Sequence, residues 1–117
     1  MALMPAEIIP KFEKMIYLPM IIKVLERDRG TIEISSFKLK GPYIQIVESA
    51  LSLARVELKD LNIDARNKKL QLIRKKKDDT FTEYAFEDIR RYLNIRLRNR
   101  TEELISIYFE KGMLKNG

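Results

Sequence analysis

The 117-residue sequence contains no cysteine, no histidine and no tryptophan. Without cysteine no disulfide framework can form, and cytoplasmic residence is the simplest expectation. Without histidine the commonest general base and the commonest transition-metal ligand are both missing. The two absences together exclude His/Cys zinc sites and nucleophiles activated by histidine. Glycine and proline number four each, too few for a disordered or low-complexity chain. The glycines (30, 41, 112 and 117) are isolated, so no phosphate-cradling glycine loop is present. Long apolar runs are also lacking. Met15–Ile22 is eight residues long and contains Pro19, whereas a bilayer span needs roughly 20 apolar residues. The expectation is therefore a single domain over residues 1–117, with no cofactor, no resident metal, no membrane partner and no small-molecule substrate.

Hydrophobic residues make up 45% of the chain and charged residues 34%. That suits a packed core under a well-solvated surface. Net charge is +6, and it is not spread evenly. Residues 1–64 balance nine basic against nine acidic side chains, while residues 65–100 hold twelve basic against five acidic. One run, Arg66 to Lys77, carries Lys68, Lys69, Arg74, Lys75, Lys76 and Lys77 with no acid between them. A second, Arg90 to Arg100, carries Arg90, Arg91, Arg96, Arg98 and Arg100, again without an acid. Clustered positive potential attracts phosphates and other anions. The alternative is a face that serves solubility alone.

Periodicity suggests the elements. Apolar residues at 12, 15, 16, 22 and 25 follow a helix face. Pro19 predicts two short helices rather than one, and Gly30 suits a left-handed cap after the second. Thr31-Ile32-Glu33-Ile34-Ser35 alternates polar and apolar as a half-buried strand does. From Gly41-Pro42, the residues Ile44, Val47, Leu51, Ala54, Leu58 and Leu61 hold the helical period throughout. So broad an apolar stripe is read as core, or as a face shared with a partner chain. A hairpin follows, with strands at 69–74 and 80–86 and a turn at 76–79. Phe86, Ile89, Leu93 and Leu97 fit a closing helix from about Glu87 to Lys111, broken near Asn99. On that helix Arg90, Arg91, Asn94 and Arg98 share one polar face.

The expected fold class is α+β: a small antiparallel sheet packed against helices, in the order α-β-α-β-β-α. Over roughly residues 19–98 this order resembles that of winged-helix domains, in which a basic hairpin forms the wing. The resemblance implies a nucleic-acid surface on the hairpin.

Paired carboxylates at Asp78-Asp79, Glu87-Asp88 and Glu102-Glu103 are read as a turn and two helix N-termini rather than as magnesium ligands. Glu57-Leu58-Lys59 has a spacing used by metal-dependent nucleases. It falls in the strongest helix, where positions i and i+2 diverge by about 200°. The sequence thus predicts a protein that is not an enzyme: a nucleic-acid-binding, specifically DNA-binding, regulator. The expected contacts are Lys68, Lys69, Arg74, Lys75, Lys76, Lys77, Arg90, Arg91 and Arg98. The alternative is a protein-interaction module, either a homodimer built on the stripe of 44–61 with Tyr108, Phe109, Met113 and Leu114, or a module docking on an acidic partner.

Overall fold

The computed structural model describes residues 9–67, 72–85 and 89–116, with the backbone alone at 85, 89–91, 115 and 116. It contains three helices, α1 (Ile9–Glu33), α2 (Gly41–Asn67) and α3 (Asn94–Asn116), and a three-stranded sheet of β1 (Ile73–Lys77), β2 (Phe81–Ala85) and β3 (Ile89–Leu93). The strands are antiparallel neighbours in sequence order. The class is α+β, with a small antiparallel sheet against helices, and the element order is α-α-β-β-β-α.

α1 is the central element. Met15, Ile16, Tyr17 and Leu18 are buried in succession, and Phe12, Ile21 and Leu25 join them. Four consecutive buried residues cover a full turn, so the helix is enclosed on all sides at 15–18, while Lys11, Lys14 and Pro19 beside that turn are exposed. That enclosure accounts for Pro19, where two helices were expected. The helix runs unbroken past it, because packing of the flanking turns outweighs one lost backbone hydrogen bond. α2 lays Val47, Ala50, Leu51 and Ala54 against α1. The apolar stripe of 44–61 is therefore spent within the chain, with Leu53, Leu58 and Leu61 partly buried at its margin. Pro42 sits in the first turn, and the Ile44 N–H donates to the Lys40 carbonyl at 3.0 Å. α3 adds Leu97 and Tyr108 to the same core. Gly112 lies close against α2. A methyl group placed on it would stand 3.0 Å from the Ser49 Cβ and 3.3 Å from the Ala50 nitrogen, so only glycine fits without displacing a neighbour.

Four expectations are corrected. The strand at 31–35 does not form, and Gly30 does not end the first helix. α1 continues to Glu33 because Ile32 lies one heptad beyond Leu25 and packs on the same core, while Ile34 is 86% exposed. The alternation was accidental, and the winged-helix order loses the strand between its first two helices. The closing helix does not start near Glu87. Residues 89–93 form β3, and the helix begins at Asn94. It also runs through Asn99 without a break. The switch at 93–94 follows from Tyr92, which stacks on Phe12 at 6.5 Å and meets Tyr84 edge-on at 6.1 Å. This aromatic trio seats the sheet on α1, and a helix through 89–93 would remove Tyr92 from it. No helix among the described residues is long and apolar enough to cross a membrane.

Candidate anion-binding groove

Strand β1 carries the middle of the first basic run, and its register is irregular. Arg74 pairs with Tyr84, Lys76 with Glu83 and Lys77 with Thr82, so Lys75 is the extra residue of a bulge. In a regular strand, residues three apart face opposite ways. The bulge resets the alternation. Arg74 and Lys77 consequently share the inner, helix-facing side with Tyr84 and Thr82, which are both buried. Lys76 takes the outer side, across from Glu83.

The turn that returns the chain is fixed by Asp78. Its Oδ1 accepts from the N–H groups of Thr80 at 2.8 Å and Phe81 at 2.7 Å, and its own N–H donates to the Phe81 carbonyl at 3.0 Å. Asp78 thus serves the turn, as expected of the Asp78-Asp79 pair. Asn94 then ties the start of α3 to this hairpin. Its N–H donates to the Thr80 carbonyl and its Nδ2 to the Asp78 carbonyl, each at 2.8 Å, while its Oδ1 accepts the Thr82 hydroxyl at 2.6 Å. One side chain therefore sets the angle between the strands and the first turns of α3.

That angle brings the two basic runs together. α1, β1, β2 and α3 enclose a groove of about 720 Å³. Arg74 and Lys77 line it from β1, Arg98 from α3 and Lys23 from α1. Its floor is apolar, built from Met20, Val24, Leu97, Ile105 and Phe109, and the acids Asp28 and Glu102 also border it. None of Lys23, Arg74, Lys77 and Arg98 forms an ion pair with another described residue. Burial raises the Tyr84 phenol above its usual range, and the Arg74 charge opposes that rise. Tyr84 is therefore neutral at neutral pH and adds no charge of its own, so the acids bordering the groove are Asp28 and Glu102.

Three of the nine expected contact residues meet at this groove: Arg74, Lys77 and Arg98. Lys75 and Lys76 are exposed on the same strand, Lys75 as the bulge residue and Lys76 on the other sheet face. Arg90 and Arg91 lie on β3, where they pair with Tyr84 and Glu83, rather than on a helix beside Arg98. Lys68 and Lys69 lie outside the described residues. The rest of the arginine run goes elsewhere. Arg96 and Arg100 border a second cleft between α1 and α3 with Glu13, Lys14 and Tyr17, and Arg100 is bonded to Glu103 at 2.8 Å. Helical geometry separates them, since Arg98 stands about 200° from either neighbour. Sequence reasoning missed Lys23, which sits in the electrically balanced half of the chain, and Asn94, whose role is a bond to a turn sixteen residues earlier. No three acidic side chains that could share a metal ion converge among the described residues.

A family model described as YhjD protein matches residues 3–113. The chain is 35% identical over 107 residues to the "Uncharacterized protein YhjD" of Bacillus subtilis (strain 168), an alignment that covers 87% of this chain and 89% of the relative. No solved structure matches.

Proposed function

The chain belongs to the YhjD protein family, and from that premise and the groove's geometry we propose that it is a non-catalytic protein that binds nucleic acid, DNA in the first place, by its phosphate backbone. One observation carries the reading: Lys23, Arg74, Lys77 and Arg98 arrive from three separate elements at one concave surface and are left without ion-pair partners among the described residues. A face that served solubility alone would have no reason to gather them. Lys75 stands beside them as the exposed bulge residue, while Lys76 faces the other side of the sheet. The apolar floor gives no donor or acceptor pattern for base edges, so the binding is sequence-tolerant and driven by counterion release.

The test is a fluorescence-anisotropy titration with generic duplex DNA across a salt series. Affinity should fall as salt rises. The triple variant Arg74→Ala/Lys77→Ala/Arg98→Ala should lower the log–log salt slope by about 0.9 for each phosphate contact removed. Absence of binding at low salt, or an unchanged slope in the variant, overturns the reading.

A further inference from the structure

A second surface lies away from the groove, at the turn between α1 and α2. Ile34 is 86% exposed, Leu39 75%, and Phe37 and Tyr43 53% each. The Phe37 and Tyr43 rings pack on each other at 5.4 Å, and Ile34 and Leu39 lie along the same short segment. Solitary exposed apolar residues are ordinary, whereas a contiguous group of large ones marks a contact surface.

Charge identifies the occupant. Lys38 and Lys40 interleave with the apolar residues, and no acid occurs from 34 to 47. The two nearest acids are already engaged: Glu33 and Glu48 both hold Arg29, at 2.7 and 2.8 Å. Lys40 is tethered at the base of the turn, its Nζ donating to the Glu33 carbonyl at 2.7 Å. A second copy of the chain would set these lysines against their own equivalents, and like charges oppose such a contact. The turn caps a pair of helices of 25 and 27 residues, and the side chains on it project from the end of that pair. Projecting apolar side chains need surroundings that close around them. The boundary between headgroups and acyl chains of a bilayer supplies this, while lysine ammonium groups reach back to the lipid phosphates.

We propose that the α1–α2 turn docks the protein on an anionic lipid surface through Ile34, Phe37, Leu39 and Tyr43, with Lys38 and Lys40 on the headgroups. This is peripheral attachment, distinct from the membrane span whose length the sequence excludes. It stands independently of the groove, whose α1 residues end at Asp28.

The experiment is co-sedimentation of the full chain with vesicles of phosphatidylcholine alone and of phosphatidylcholine mixed with phosphatidylglycerol. The mixed vesicles should carry the protein down and the neutral ones should not. Phe37→Ser/Leu39→Ser should weaken binding by about tenfold or more, and Lys38→Gln or Lys40→Gln by about fivefold each. Phe37, Lys38 and Leu39 are exposed and Lys40 is half-buried, and circular dichroism verifies that each variant keeps the fold. The groove variant Arg74→Ala/Lys77→Ala/Arg98→Ala should sediment as the unaltered chain does. No sedimentation with the mixed vesicles overturns the proposal. So does binding lost in the groove variant and kept in the turn variants, or a dimer in light scattering that Phe37→Ser/Leu39→Ser dissolves.

Discussion

The helices and the hairpin treat charge in opposite ways. Between α1 and α2 nearly every charge visible at the seam has a partner: Lys11 with Asp64 at 3.6 Å, Arg29 with Glu48 at 2.7 Å, Arg55 with Glu26 at 3.6 Å, and Lys14 with Glu57. Along β1 four consecutive cations, Arg74 to Lys77, have no ion pair with any described residue. Exposed pairs of the first kind contribute little each, about 0–1 kcal/mol, yet their spacing fixes how the two helices slide on one another. The hairpin is held from beneath by the aromatic trio of Phe12, Tyr84 and Tyr92. The difference teaches where stability and binding reside. Paired charge lies over the helical core, and the cations of β1 lie over a sheet that the core supports.

The comparison is broken most severely from the core side. Leu51 is 2% exposed between α1 and α2, and Leu51→Ala should cost about 3 kcal/mol in urea unfolding. Its effect on DNA affinity should be no larger than the unfolded fraction explains. A stability loss below about 1 kcal/mol would show that the helical layer is not the principal core.

Next in size is Glu57, which joins all three helices. Lys14 of α1 and the Tyr108 hydroxyl of α3 both donate to its carboxylate. Burial raises the Glu57 carboxyl, but the bonds from Lys14 and Tyr108 and the neighbouring ammonium charges outweigh it and hold it below the usual carboxylate range. Burial first, and then the bond to Glu57 and its charge, push the Tyr108 phenol far above its ordinary value. The folded carboxyl is thus the more acidic one. Its contribution is complete above the ordinary value near about 4.3 and fades as pH falls through the folded value. Glu57→Gln should cost about 2 kcal/mol at neutral pH and flatten that part of the acid unfolding curve. An identical acid limb in the variant would remove Glu57 from this role.

Smaller again is the joint between the two regions. Asn94→Ala removes the bonds to Asp78 and Thr82 and should cost about 1 kcal/mol. The loss should be local. Amide exchange should quicken at residues 78–82 and stay unchanged in α1 and α2. Uniform acceleration throughout would mean that hairpin and helices open as one unit.

What could be read beforehand follows the same division. The helix of 41–61 was legible because its stripe is long and its burial one-sided, so period and environment agree. The hairpin was legible from its β-rich second strand and its Asp turn, but its first strand runs from Ile73 to Lys77, so Lys76 and Lys77 lie in the strand and not in the expected turn of 76–79, while 69–71 lie outside the described residues. β3 was not, because Phe86, Ile89, Leu93 and Leu97 fall at helical spacing by coincidence, and Tyr92 declares itself only once Phe12 is beneath it. The strand expected at 31–35 failed for the mirror-image reason: five residues alternated by chance inside a helix already paid for by the core. Of the groove, the charge could be read and the convergence could not. Convergence depends on one bulge residue, Lys75, and on one long-range asparagine, and neither leaves a periodic trace.

The finest test of the comparison therefore lies within β1 itself, between Lys76 and Lys77. They are adjacent, alike in charge and both exposed, so composition cannot tell them apart. The register does. Lys77 stands with Thr82 on the groove side and Lys76 with Glu83 on the far side. Alanine at either should leave the unfolding midpoint where it is, because neither is in an ion pair with a described residue and neither is packed in the core. Their salt dependences should nevertheless part. Lys77→Ala should lower the slope of DNA affinity against salt by about 0.9, one phosphate contact, while Lys76→Ala should leave it nearly unchanged. Equal slopes would mean that the ligand senses the strand's total charge rather than the side the bulge selects. Binding would then belong to the exposed edge of β1, and the groove would be incidental to it.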